Sequence, residues 1–262
     1  MHFAKESYII NQEIIGGMVK VAMSELFNMD NPFWRFMGKI ADVIILNLLW
    51  IICCIPIITI GPATTATYYV ALRLADDQDG YIFKNFFKSF KQNFRQGVII
   101  GVIMTVIGAF FAYDLYLYRQ LSGGMIKYLS MIMLGIMILY LFALTYVFPI
   151  LAKFVNSVKR TIINAFYMSI RHIVATIVMI VIAVVVIAVT IFIFPPLIIL
   201  GFGLIAFLQS YFLKRIFNFY IEKEEEVEDE NENLFMTNAE KRAEEARELE
   251  ETTAQDTEKE ND

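Results

Sequence analysis

The chain has little of what most side-chain chemistry needs. Its two cysteines, Cys53 and Cys54, are adjacent inside an apolar run. They cannot staple distant segments or form a CxxC pair, and they are expected to be small core residues. Its two histidines, His2 and His172, stand far apart in sequence and outside any HExxH pattern. There is also no GxSxG, no P-loop and no Rossmann glycine pattern. Hydrolysis on a zinc centre, serine-type acyl transfer and nucleotide chemistry are therefore not expected. No metal, cofactor or nucleic-acid partner is expected either. The N-terminal residues lack a charged segment followed by an apolar one, so no cleaved signal peptide is expected.

What is present is apolar. Of 262 residues, 58% are hydrophobic and only 19% charged, which is too apolar for an ordinary water-soluble domain. Five continuous apolar stretches, residues 40–60, 97–118, 128–151, 173–194 and 197–213, have about the length a helix needs to cross the hydrocarbon layer. They are continuous rather than alternating, which implies helices and not barrel strands. The expected fold is all-α. It is a polytopic membrane protein with about five transmembrane helices in a membrane domain over residues 28–220.

Two segments flank that domain. Residues 1–27 place Ile10, Ile14, Ile15, Met18, Ala22 and Leu26 at roughly helical spacing among charges, the pattern of an amphipathic helix lying near the membrane. Residues 221–262 are a strongly acidic tail. From Glu222 on it carries 18 acidic and 5 basic residues, and its Glu224–Glu230 charge block is expected to be largely disordered.

Basic residues orient the whole. With the N-terminus outside, the inner flanks carry Arg73, Lys84, Lys88, Lys91, Arg95, Lys153, Lys159, Arg160, Arg171, Lys214 and Arg215, against Lys20, Arg35, Lys39, Arg119 and Lys127 outside. This favours a multi-pass protein with the N-terminus outside and a cytoplasmic tail. One stretch bears on the count. Residues 61–75, opened by Gly61-Pro62, can re-enter the membrane, and if they cross it the N-terminus moves inside.

The most regular feature lies between the first two spans. Phe83, Phe87, Phe90 and Phe94 repeat at steps of four, three and four, and Lys84, Lys88, Lys91 and Arg95 follow one residue later. On a helix over 81–96 this makes an aromatic stripe beside a basic one. Such a helix suits the inner leaflet, with phenylalanines in the headgroup boundary and cations facing anionic lipid, and it equally suits docking of a cytoplasmic partner. A weaker copy follows at an offset of 76 residues, pairing Lys84 with Arg160, Phe90 with Phe166 and Arg95 with Arg171.

Polar groups inside the spans are few. Asp42 and Asp114 are candidates because a charge in the bilayer is costly, yet both sit near span ends and are expected at the outer interface. Asn47, Thr105, Thr145 and Gln209 are expected to hydrogen-bond between helices. Gly97 and Gly101 form a GxxxG pair that permits close helix approach. The run from Asp76 to Gly80 is expected to be a hydrated turn capping the Phe/Lys helix.

Several stretches carry a family resemblance: residues 26–34 (LFNMDNPFW), 42–50, 56–61 (PIITIG), 64–69 and 80–94 (GYIFKNFFKSFKQNF). Together they resemble the YesL family of bacterial membrane proteins, a domain of unknown function, over about residues 25–220. The resemblance implies association with carbohydrate utilisation and sugar uptake, and it supplies no catalytic or binding residues. The function expected from it is a non-enzymatic accessory or regulatory component of a carbohydrate uptake system, with a sugar ABC transporter or another membrane protein as partner. The alternative is a transport subunit that itself moves a small polar solute. Against that alternative, no EAA-type loop for an ATPase is found.

Overall fold

The computed structural model describes residues 32–78, 80–120 and 124–223. The amphipathic extension expected over 1–27 and the tail from 224 onward lie outside the described residues. Residues 221–223, assigned to that tail from sequence, continue the last helix. The chain divides into two units. The first ends at Phe212, and the second begins at Leu213 and is described only as the helical stretch 213–223.

Every long element among the described residues is a helix. In order they are α1 (Pro32–Cys53), α2 (Ile60–Ala75), α3 (Ile82–Gln92), α4 (Phe94–Gln120), α5 (Gly124–Lys153), α6 (Val158–Arg171), α7 (Ile173–Ala188) and α8 (201–223). Four segments are long and apolar enough to cross a membrane: Phe36–Cys53, Phe94–Tyr118, Tyr128–Lys153 and Ile173–Ile193. These make the chain a multi-pass membrane protein. Their outward apolar side chains, such as Val106 at 63% exposure and Val174 at 73%, are what lipid would cover.

Three expectations are revised. The first span does not run to residue 60, because α1 ends at Cys53 and the chain turns through Cys54–Pro56 into a short 3-10 turn, Ile57–Thr59. Proline at 56 explains the stop, since it disfavours a helical residue before it and cannot donate to the preceding turn. Cys53 and Cys54 therefore stand half-buried at a turn, not in the core.

The stretch 61–75, uncertain from sequence, becomes the most deeply packed element. All of α2 from Gly61 to Ala75 is buried except Tyr69 and Arg73. Its small residues (Gly61, Ala63, Thr64, Thr65, Ala66 and Thr67) let neighbouring backbones come close, which is how helices associate when lipid removes the usual hydrophobic drive. The buried hydroxyls of Thr65 and Thr67 donate to the carbonyls of Gly61 and Ala63 one turn back, so they cost no unpaired group.

The fifth stretch, 197–213, is not one helix. Pro195-Pro196 ends the preceding π-turn, and Phe194 is forced to φ −140°, ψ 81°. Residues 195–199 then form a 3-10 turn, and α8 begins only at 201. Breaking a helix at this depth leaves carbonyls without partners, and a neighbouring side chain must satisfy them. Asn47 does so: its amide donates to the carbonyls of Ile198 and Ile199 at 3.0 and 2.8 Å, and its oxygen accepts from the Gly203 N–H at 3.1 Å.

Candidate functional site: the basic helix and the hairpin beneath it

Helix α1 and helix α2 form an antiparallel hairpin, fixed at both ends. Near the turn, the Trp50 indole donates to Thr64 at 3.2 Å. At the open end, Lys39 pairs with Asp77, just beyond the last residue of α2. The entry to α1 and the exit from α2 therefore lie together. Aromatic stacking adds α8 to the hairpin: Phe202 stacks on Trp50 with ring centroids 4.6 Å apart and meets Tyr68 edge-on at 5.8 Å. The Tyr68 hydroxyl donates to Gln209, whose amide donates to the Met179 carbonyl of α7.

The turn after α2 is not the cap of α3 that its composition suggests. Gln78 N–H bonds the Arg73 carbonyl and Asp77 N–H the Leu74 carbonyl, the paired pattern that closes a helix through one left-handed residue. That residue is Asp77, at φ 51°. Glycine is usual there, because L-residues other than Asn and Asp pay to adopt it. The start of α3 has only Tyr81 as its cap, with no side-chain hydrogen bond.

Helix α3 presents three faces. Ile82, Phe86 and Ser89 are buried, and Phe86 is completely so. Beside them runs the aromatic stripe: Phe83 is exposed, Phe87 and Phe90 are half-buried, and Phe94 is exposed. The rings form a continuous ladder, with centroids 5.1 Å apart for Phe83–Phe87, 6.4 Å for Phe87–Phe90 and 5.5 Å for Phe90–Phe94. Lys84, Lys88, Lys91 and Arg95 make the third face and all are exposed. The sequence pattern had no means to single out Phe86, which lies next to Phe87 and off the stripe. Asn93 interrupts the helix, so the stripe's last members, Phe94 and Arg95, already belong to α4.

At the root of this helix the GxxxG pair meets the hairpin. A Cβ built on Gly61 would stand 2.0 Å from the Gly97 carbonyl oxygen, and one on Gly97 would stand 2.9 Å from the Pro62 Cα. Gly101 faces Gly61 at 3.1 Å by the same measure. Here backbone rests on backbone, and no side chain fits.

The other polar candidates are dispersed. Asp42 is half-buried on α1 near the Lys39–Asp77 end of the hairpin. Asp114 is on α4, 13 residues past Gly101 and thus about 20 Å along the helix axis. One of its carboxylate oxygens is buried without a hydrogen-bond partner. Asp42 thus belongs to the open end of the hairpin, whereas Asp114 lies on α4 beyond the glycines that meet the hairpin at Gly61 and Pro62. Asn47 and Gln209 bridge helices as expected. Thr105 and Thr145 instead donate within their own helices, to Gly101 and Leu141. Among the described residues no group of His, Cys, Asp and Glu is arranged to hold a metal.

The comparison that bears on this assembly is a family match. Residues 43–115 match DUF624, described as a protein of unknown function. The matched stretch runs from Val43 on α1 through α2 and α3 to Leu115 on α4. It therefore takes in the hairpin turn, the glycine crossing and the whole basic helix. It is consistent with the YesL-like resemblance of the sequence. No curated protein and no solved structure gives a match.

Proposed function

We propose that the protein is a non-enzymatic membrane component that docks a partner on its cytoplasmic side through α3, with α6 as a second contact, and that the partner belongs to a carbohydrate uptake system. The observation that carries the docking reading is the three-faced α3. One face is locked into the fold by Phe86, and the aromatic and basic faces stay open. A helix held in this way is preorganised, so the partner does not bear the cost of ordering it. The same two faces suit anionic lipid of the inner leaflet, which would hold α3 at the surface in the absence of a partner. The carbohydrate context rests on the YesL resemblance.

The hairpin favours an orientation with both ends inside. Because Lys39 and Asp77 pair, the entry to α1 is on the side where α3 begins. Placing that side in the cytoplasm moves Lys20, Arg35 and Lys39 to the inner count and leaves Arg119 and Lys127 as the outer basic residues. The inward excess of positive charge then becomes larger than with the N-terminus outside.

The test is copurification of full-length tagged protein from native membranes in mild detergent. A sugar permease or its ATPase is expected to accompany the wild type and to be lost from Phe87→Ala/Phe90→Ala, at equal membrane abundance. Each truncation removes apolar contact of roughly 1.5–3 kcal/mol for a fully buried ring, and less for these half-buried ones. Asp42→Asn and Asp114→Asn should leave the association intact. If the purified protein alone accumulates sugar in proteoliposomes, or if either Asp variant abolishes growth on the carbohydrate while the double Phe variant is silent, the transport-subunit reading replaces this one.

A further inference from the structure

Helices α1 and α8 are in close contact around Asn47 and Gly203. They are pinned where Gly203 lies against α1, a Cβ there being 2.9 Å from the Val43 carbonyl oxygen, and where Asn47 clamps the start of α8. Between that contact and Phe36 and Tyr211, residues of both helices line a cavity of about 610 Å³. Its size falls within the range of roughly 300–1,000 Å³ usual for small-molecule sites. Ile40 and Val43 wall it on one side, and Leu204 and Leu208 on the other. Phe36 and Tyr211, 61% and 44% exposed, stand at its edge. Among the described residues, the charged groups lining it are Lys39 and Asp77.

This is an apolar slot on a membrane-length helix with one cation and one anion side by side at its end. The two are paired with each other there, and their side chains stay 32% and 63% exposed, open to a headgroup at the mouth of the slot. We propose that the slot binds a phospholipid with an ethanolamine headgroup, its acyl chain between α1 and α8, its phosphate on Lys39 and its primary ammonium on Asp77. Charge complementarity favours this headgroup over those of phosphatidylglycerol and phosphatidylcholine. Phosphatidylglycerol has no cation for Asp77, and a choline ammonium has no N–H to donate to it.

The test uses full-length protein, delipidated in mild detergent and titrated with dioleoyl phosphatidylethanolamine, phosphatidylglycerol or phosphatidylcholine under native mass spectrometry. The ethanolamine lipid should bind about tenfold more tightly than the choline lipid, the worth of one charge-assisted hydrogen bond. Asp77→Asn should remove that preference, and Leu204→Trp, which fills the slot, should weaken all three lipids. Should Leu204→Trp fail to fold, Leu208→Phe serves in its place. Equal binding of the three lipids, or a preference that survives Asp77→Asn, overturns the proposal. Binding that appears only after residues 1–27 are deleted also overturns it, because the slot would then belong to the chain's own N-terminal segment.

Discussion

The stretch from Ile60 to Gln120 and the stretch from the second half of α5 through α7 are built to one plan with different joints. In each, a buried helix is followed by an amphipathic helix packed along it, a one-residue interruption, and a membrane-length helix. The buried positions of α3 and α6 correspond at a spacing of 79 residues: Ile82 with Thr161, Phe86 with Ala165, and Ser89 with Met168. The interruptions, Asn93 and His172, keep the same spacing. What differs is the contact between the outer helices of each set. In the first, Gly61 and Pro62 rest on Gly97 and Gly101, and the Pro62 ring is the one side chain at the contact with Gly97. In the second, Thr176 of α7 donates to the Ser169 carbonyl at 2.8 Å and lies 3.1 Å from the Tyr146 hydroxyl of α5. The first joint works by glycines without side chains, and the second by hydroxyls that satisfy one another. The comparison teaches that small residues and polar residues are alternative means of holding apolar helices together in lipid.

The two joints should fail differently. Gly61→Ala puts a methyl where the Gly97 carbonyl already is, and backbone on both sides leaves nothing flexible to yield. The expected loss is at or beyond the upper end of the roughly 1–3 kcal/mol typical of overpacking. It should appear as a large drop in thermal unfolding temperature in detergent, or as absence of folded protein. Tyr146→Phe in the second set removes one hydroxyl and no volume, so about 0.6 kcal/mol, the average for an interhelical hydrogen bond in a membrane, is expected. Equal effects at the two sites would mean that the joints are not the distinction drawn here.

The smallest effect concerns the interruptions. Burial first, and the neighbouring Arg171 second, hold His172 below the ordinary histidine range, so the fold favours its neutral form. Above about pH 6.5, the ordinary value, His172 is neutral in both folded and unfolded chains and contributes no pH dependence. As pH falls from there toward the lowered folded value, the unfolded chain takes up the proton first and stability declines. The His172→Asn variant, which gives the second set the residue of the first, should lose this part of the acid sensitivity when unfolding is followed between pH 7.5 and 5. An unchanged pH profile would exclude His172 as its source.

The all-helical class, the four membrane-length helices and the exposed Phe and Lys stripes were legible in the sequence because each is a periodicity or a run length. The register of the repeat was not. Its offset of 76 matched residues by type, Lys84 with Arg160, Phe86 with Ile162, Phe90 with Phe166 and Arg95 with Arg171, and residue type does not distinguish a buried position from an open one. The buried faces set 79, almost one helical turn away. The hairpin was hidden for a related reason: Gly61 to Thr67 is too mixed in hydropathy to stand out as a span, and its small residues acquire meaning only when Gly97 and Gly101 lie against them. Nor could Asp77 be assigned from its acidic neighbours, since its role depends on Lys39, 38 residues earlier. Tyr68 gave no signal at all, because its partner, Gln209, is 141 residues away.

The return of α2 alongside α1 is the claim on which the placement of every later helix depends, and accessibility of single cysteines tests it directly. In a variant with Cys53 and Cys54 replaced by Ala, one cysteine is introduced at Ser7, Ser122 or Asn238, and right-side-out vesicles are treated with a membrane-impermeant thiol reagent. The hairpin predicts labelling at Ser122 alone, with Ser7 and Asn238 reacting only after permeabilisation. Labelling of Ser7 together with Ser122 in sealed vesicles would put the entry to α1 on the opposite side from α3 and contradict the hairpin.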